Sequence, residues 1–169
     1  MTTESIREKQ NRLKDQYRDQ PESALHTMTV TGAVTQPNYT TKLPTHVGDV
    51  VAGLHTAAGG DGSHACSGDM LLEALIGCAG VTLAAVATAM RITVNKADIT
   101  ASGDLDFRGT MGVDPVASIG FENLRLHFAL DTDALQESEE KLISLTEKYC
   151  VIYQTLSKQN TITTSTRPQ

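Results

Sequence analysis

Apolar residues recur along this chain with two periods, and each change of period marks a new element. From 4 to 19 the residues are mostly charged, with Ile6, Leu13 and Tyr17 as a thin apolar stripe. Spacings of seven and four predict a polar helix, closed by Pro21, that needs a partner surface on the body or on a second subunit. Residues 26–35 alternate instead. Met28, Val30 and Val34 share one face and Thr27, Thr29 and Thr31 the other, which predicts a half-buried strand. Gln36-Pro37-Asn38 reads as a turn. Tyr39, Thr41 and Leu43 predict a second strand before Pro44, and 47–55 a third, weakened by Gly48 and Gly53. The glycine-rich stretch 56–68 reads as a loop.

Asp69 then opens MLLEALIGCAGVTLAAVATAM, which carries one charge, Glu73, and no proline. Twenty such residues make a helix of roughly 30 Å. Apolar nearly all round, it is expected to be the buried central helix. Gly77 and Gly80 each weaken it by roughly 1 kcal/mol relative to Ala and allow close approach of another element or a ligand. Alternation returns at 97–111, with Ile99, Ala101, Gly103, Leu105, Phe107 and Gly109 on one face. It returns again at 120–130, where the offset after Phe121 predicts a bulge. Asp131-Thr132-Asp133 reads as the cap of a helix over 134–157, with Leu135, Leu142, Leu145, Tyr149, Ile152 and Leu156 near one face. Residues 160–169 read as a closing strand. The order predicts an α+β fold, with helices on one face of a mostly antiparallel sheet. Residues 1–20 are expected to form an N-terminal polar helix and 21–169 one domain.

Composition narrows the function. The 169 residues suit a single core, with 40% hydrophobic and 20% charged residues. A net charge of −6 supplies no basic stripe for phosphates, which argues against nucleic acid as a partner. No run of eighteen uninterrupted apolar residues is present, so no membrane span is expected. The charged N-terminus does not read as a secretory signal, which makes a cytoplasmic protein with reduced thiols the default expectation.

The candidate chemistry lies in the cysteines. Cys78 falls within the central helix among small residues, and Cys150 within the predicted 134–157 helix. Either thiol alone reads first as an ordinary buried cysteine. If the two helices pack together, the thiols come within disulfide reach, with Cα atoms about 4.4–6.8 Å apart. Cys66, in His64-Ala65-Cys66, has no fourth ligand or Cys-x-x-Cys spacing to make a zinc site, so no metal and no cofactor is expected. A reactive thiol needs to be a thiolate, and a cation nearby is the usual cause. No Arg lies between Arg18 and Arg91. The candidate supporting groups are His55, Asp69, Glu73 and Arg108. Asp69 reads also as a helix cap and Arg108 as a solvated charge beside Asp106. Glu73, five residues before Cys78, is on a different helix face.

Three stretches resemble the OsmC/Ohr superfamily of thiol-dependent peroxidases: Ser67 to Cys78 (SGDMLLEALIGC), Asp104 to Val113 (DLDFRGTMGV), and Glu147 to Leu156 (EKYCVIYQTL) with the segment after it. The resemblance covers about residues 26–167. It implies an intertwined homodimer with two long central helices per subunit and active sites at the interface. It also implies a peroxidatic Cys78, a resolving Cys150, a small organic hydroperoxide as substrate, a dithiol reductant, and a role in oxidative or osmotic stress defence. The family pattern pairs its thiol with an Arg and with a Glu at the start of the cysteine helix. Here Gly68 stands at the Glu position, Ser67 at the preceding Pro, and His55 lies nearest in order to the Arg. This marks the chain as a divergent member. The competing expectation is a non-catalytic protein that binds a small apolar ligand at the dimer interface.

Overall fold

The structure, a computed structural model, describes residues 3–166. Helix α1 (Thr3–Asp19) matches the predicted polar helix. The segment 25–32 is not a strand. Only β1 (Ala33–Thr35) pairs, and Met28 and Val30 are 92% and 78% exposed. An alternating segment needs a neighbour to become a strand, and the described residues supply none. Strands β2 (Thr40–Thr45) and β3 (Gly48–Gly53) form an antiparallel pair in the register Thr41–Ala52 and Leu43–Val50, and β1 adds antiparallel to β2. The expected loop before the central helix contains a short strand, β4 (Ala65–Cys66), parallel to β3.

Helix α2 (Ser67–Met90) starts where β4 ends, with Cys66 as its N-cap residue. It buries Leu75, Ala79, Leu83 and Ala87, one residue per turn along a single stripe. The rest of its surface is not buried within one chain, contrary to the expectation of a wholly buried helix. Val81 is 74% exposed, and Ala74, Gly77, Ala84 and Ala85 are exposed beside it. By length and composition α2 is also the one described helix apolar enough to cross a membrane, a property that the count of uninterrupted apolar residues missed. Its packed stripe is that of a core helix.

Strands β5 (Val94–Asp104) and β6 (Glu122–Thr132) form a separate two-stranded antiparallel sheet, pairing Ile99 with Phe128 and Ala101 with Leu126. The register shifts between Ser102 and Asp104, where Asn123 sits at φ +49°; this is the bulge that the Phe121 offset predicted. Strand β5 stops at Asp104 and does not run on to 111. Asp106 caps a short helix, α3 (Phe107–Thr110), by accepting the Arg108 amide. Gly109 closes that turn against the backbone, where a Cβ would stand 2.3 Å from the Ser118 carbonyl oxygen.

The predicted cap at 131–133 is also corrected. Leu135 is the N-cap residue of α4 (Gln136–Tyr149), without a side-chain bond. The Asp133 carboxylate instead accepts the Thr93 amide at 2.8 Å and ties β6 to the α2–β5 connection. Thr132 accepts the Ala134 amide and donates to Glu139. Helix α4 ends at Tyr149, and a short α5 (Val151–Leu156) follows. The expected single helix over 134–157 is therefore broken at Cys150. Residues 160–166 form no strand, and the rest of the predicted closing strand lies outside the described residues.

The core is thin. Leu75, Ala79 and Cys150 are buried with Ile99, Ala101, Leu126 and Phe128 around them. Leu83, Ala87 and Leu142 form a second cluster against Val94, Phe128 and Leu130. Both lie where α2 covers the apolar face of β5–β6 and α4 lies against α2. The arrangement is α+β with mostly antiparallel sheets, as predicted.

Candidate functional site

Leu142, Thr146 and Cys150 follow one another at four-residue spacing along α4, and all three are fully buried against α2. This stripe carries Cys150 to Cys78, which flanks the buried stripe of α2 and packs against the same cluster. Both thiols are free, and they pack in one cluster, where each shifts the titration of the other.

Cys150 is not a mid-helix residue. Its backbone turns out of helical geometry at φ −74° and ψ 111°, so it closes α4 and opens α5 at once. Its amide bonds to the Thr146 carbonyl at 2.9 Å, and its carbonyl accepts the Gln154 amide at 2.9 Å. Its sulfur accepts the Tyr153 amide at 3.4 Å, the position of an N-cap side chain. The Gln154 side chain donates back across the break to the Glu147 carbonyl at 3.0 Å.

The break makes the two thiols unlike. Burial pushes the Cys78 thiol up, but the polar groups around it, the Ile152 and Val151 backbone and the Cys150 and Thr82 side chains, pull it down; the Thr82 proton itself goes to the Cys78 carbonyl at 2.7 Å. Together these groups outweigh burial and hold the thiol below its ordinary value. Burial also pushes Cys150 up. The Tyr153 and Ile152 amides oppose this, yet the neighbouring Cys78 sulfur raises it further, and Cys150 stays above the ordinary value. The pair is therefore unequal, with Cys78 the more readily ionised thiol and Cys150 the less.

A pocket of about 170 Å³ opens on the cluster against which the pair packs, although neither thiol lines it. Leu75, Leu124, Leu126, Tyr153 and Leu156 give it apolar walls, and Arg125 and Ser157 its polar edge. The Arg125 guanidinium is engaged by Asp104 at 2.6 Å and by Ser102 at 3.2 Å. That partnership holds the Asp104 carboxyl down at about 2.

The supporting residues named from sequence gather elsewhere. His55, Asp69 and Glu73 line a cavity with His64 and Cys66 at the start of α2. Asp69 is nine residues ahead of Cys78, about 13 Å along the helix axis. It is a first-turn acid without a side-chain capping bond. His55 accepts the Ala57 amide at 3.0 Å and stacks on Phe107, ring centres 5.0 Å apart. Arg108 pairs with Asp106 at 2.5 Å and Asp114 at 3.5 Å, the solvated charge beside Asp106 that its sequence allowed. Among the described residues, no group of three His, Cys, Asp or Glu side chains is placed to hold a metal ion. Sequence reading missed Thr82, Val151 and Ile152. Thr82 was legible, because position i+4 on a helix faces its partner; the two amides were not, because they depend on the break.

The family model for OsmC-like proteins matches residues 60–165. Among solved structures, an OsmC-like protein from Mycoplasma pneumoniae is 17% identical with a TM-score of 0.64, over 78% of this chain and 88% of that one. An organic hydroperoxide resistance protein from Elizabethkingia anophelis is 13% identical with a TM-score of 0.56, over 77% and 89%. The organic hydroperoxide resistance protein OhrB of Bacillus subtilis is 17% identical with a TM-score of 0.53, over 77% and 90%. No curated protein matches the sequence.

Proposed function

The chain belongs to the OsmC-like family, and from that premise we propose that it is a thiol-dependent peroxidase acting on organic hydroperoxides. The observation that carries this reading is the unlike thiol pair packed in one cluster with Leu75, Leu126, Tyr153 and Leu156, which also wall an apolar pocket. Two structural relatives described as organic hydroperoxide resistance proteins support the same class.

The Cys78 thiolate attacks one oxygen of the O–O bond. An S–O bond forms, the O–O bond breaks, and the alkoxide leaves as the alcohol after taking a proton. Cys78 is then a sulfenic acid. Cys150 gives up its proton and attacks the Cys78 sulfur. The S–S bond forms and water leaves. A dithiol reductant returns both thiols by exchange, through a mixed disulfide. The apolar walls favour an alkyl hydroperoxide over hydrogen peroxide, because the alkyl group buries surface that hydrogen peroxide lacks.

The test is direct. Reduced protein given one equivalent of cumene hydroperoxide should yield one equivalent of the alcohol, and peptide mapping should find a Cys78–Cys150 disulfide. No peroxide consumption, with both thiols still reduced, would sink the proposal and leave the cleft as a binding site for an apolar ligand.

The active form is a homodimer in this reading. The exposed face of α2 and the unpaired segment around Met28 and Val30 are apolar surfaces that one chain leaves open. Val81→Glu puts a charge in the middle of that helix face. Light scattering should then report monomer where the parent chain is a dimer; an unchanged mass would exclude α2 from the interface.

A further inference from the structure

Helix α1 is used neither by the core nor by the thiol pair. It lies ahead of the residues matched by the family model, and its main contact is the short turn Pro21–Ala24 that follows it. At 3.6 residues per turn, Ile6, Leu13 and Tyr17 form one narrow stripe, and Ile6 and Leu13 stay exposed. Lys9 borders the stripe on one side, Lys14 and Arg7 on the other. Glu8, Asp15 and Asp19 stand on the far face, where Asp15 also holds Arg18. A helix that only meets water gains from mixed charges at i,i+4 spacing and not from sorting them by face. Sorted cations around an apolar stripe make a docking face for an acidic surface.

The chain has a net charge of −6, yet α1 holds five Lys and Arg against four Asp and Glu, so the acidic excess lies in the body. It is densest at the start of α4. Asp131, Asp133, Glu137, Glu139 and Glu140 fall within ten residues, and the first base after them is Lys141. Asp133 and Glu139 are engaged by Thr93 and Thr132, whereas Glu137 and Glu140 are exposed on α4. Leu135 stands between the two groups of acids and is 81% exposed. The α4 dipole accounts for acids in the first turn, but not for a bare leucine among them.

We propose that α1 docks on the start of α4 in a second copy of this chain. The stripe of Ile6, Leu13 and Tyr17 covers Leu135, and Lys9 and Lys14 meet Glu137 and Glu140. Within one chain both surfaces are open. Residues 25–32, which form no strand, give α1 a tether that spans up to roughly 25 Å. Two-fold symmetry makes the contact twice in a dimer. An anionic membrane fits less well. Three apolar side chains in 17 residues are few for a face buried in lipid, and the acidic body is repelled by such a surface. The contact goes beyond the homodimer reading, and each can fail alone: Val81→Glu addresses α2, while the variants below leave α2 unaltered.

The experiment mixes isotopically light and heavy full-length chain in equal amounts at low salt and joins them with a zero-length carbodiimide. Peptide mass spectrometry should find Lys9 or Lys14 linked to Glu137 or Glu140 in pairs that carry one light and one heavy peptide. The yield should fall as salt rises. Lys9→Glu with Lys14→Glu should speed amide exchange across α1. Adding Glu137→Lys and Glu140→Lys to that chain should slow exchange again and restore the mixed links with the charges reversed. Links confined to peptides of one label would place the contact within a chain and overturn the proposal. Equal α1 exchange in the parent and the Lys9→Glu, Lys14→Glu chain would overturn it too. So would α1 exchange that slows only when phosphatidylglycerol vesicles are added, since that result assigns the helix to a lipid surface.

Discussion

Cys78→Ser abolishes hydroperoxide turnover, while Cys150→Ser completes the first step and stops. A serine hydroxyl at position 78 would meet the same polar groups, but it does not ionise near neutral pH and cannot attack the O–O bond. The expected loss is complete within detection. Cys150→Ser leaves the nucleophile in place, while removing the thiol beside it that lowers its pKa. It should release about one equivalent of alcohol per chain, more slowly than the parent, and accumulate a sulfenic acid that a dimedone-type reagent traps at Cys78. The two variants are checked together by alcohol release and peptide mapping. Full turnover in Cys78→Ser would remove Cys78 from the chemistry. Sustained turnover in Cys150→Ser, with an external dithiol present, would show that the reductant reaches the sulfenic acid directly.

Leu142→Ala is the largest expected loss of stability. Leu142 is 0% exposed and fills the second core cluster between α2 and the sheet, against Leu83 and Ala87. Truncating a fully buried leucine typically removes about 2–5 kcal/mol, because the lost burial is joined by a cavity that neighbours only partly refill. Domains hold only about 5–15 kcal/mol in total. Urea unfolding at fixed protein concentration should show a large drop in midpoint, and Leu142→Met, which keeps the volume, should lose less than about 1.5 kcal/mol. The same helix stripe sets the height of Cys150, two turns further on, so Leu142→Ala should also slow formation of the disulfide. A midpoint within error of the parent would mean that the α2–α4 contact does not hold the pair.

The sequence showed the elements whose cause is local. The apolar run around Cys78 could only be a long helix, and the alternation from Ile99 and from Leu124 could only be strands, since periodicity is a property of the residues themselves. What it hid was structure imposed from outside the segment. Met28, Val30 and Val34 alternate like a strand, but alternation specifies a face and not a partner. The apolar pattern from Leu135 through Tyr149 to Leu156 keeps helical spacing straight through the break, with no Gly or Pro to mark it. The break is a capping geometry that satisfies Cys150 and Gln154, and capping by a thiol has no strong sequence signature. The thiol pair was therefore legible as a candidate, and Thr82 one turn on from Cys78 with it, while the backbone of Val151 and Ile152 beside the pair was not. His55, Asp69 and Glu73 were drawn to Cys78 by nearness in sequence. Helical rise carries Asp69 away along the axis, and Glu73 is turned to the cavity it shares with His55.

Strands β5 and β6 pair only with each other among the described residues, each over 11 residues, so each has a long outer edge without a neighbour. An edge of that length is a template for any passing strand. The consequence concerns handling of the protein as much as its chemistry. A variant that fails to assemble should not persist as a tidy monomer at high concentration; it should polymerise edge to edge, with a lag and a dependence on concentration. Lysine placed on an outward-facing edge position, such as Thr100→Lys, should then delay precipitation of the assembly-defective chain without touching the thiols.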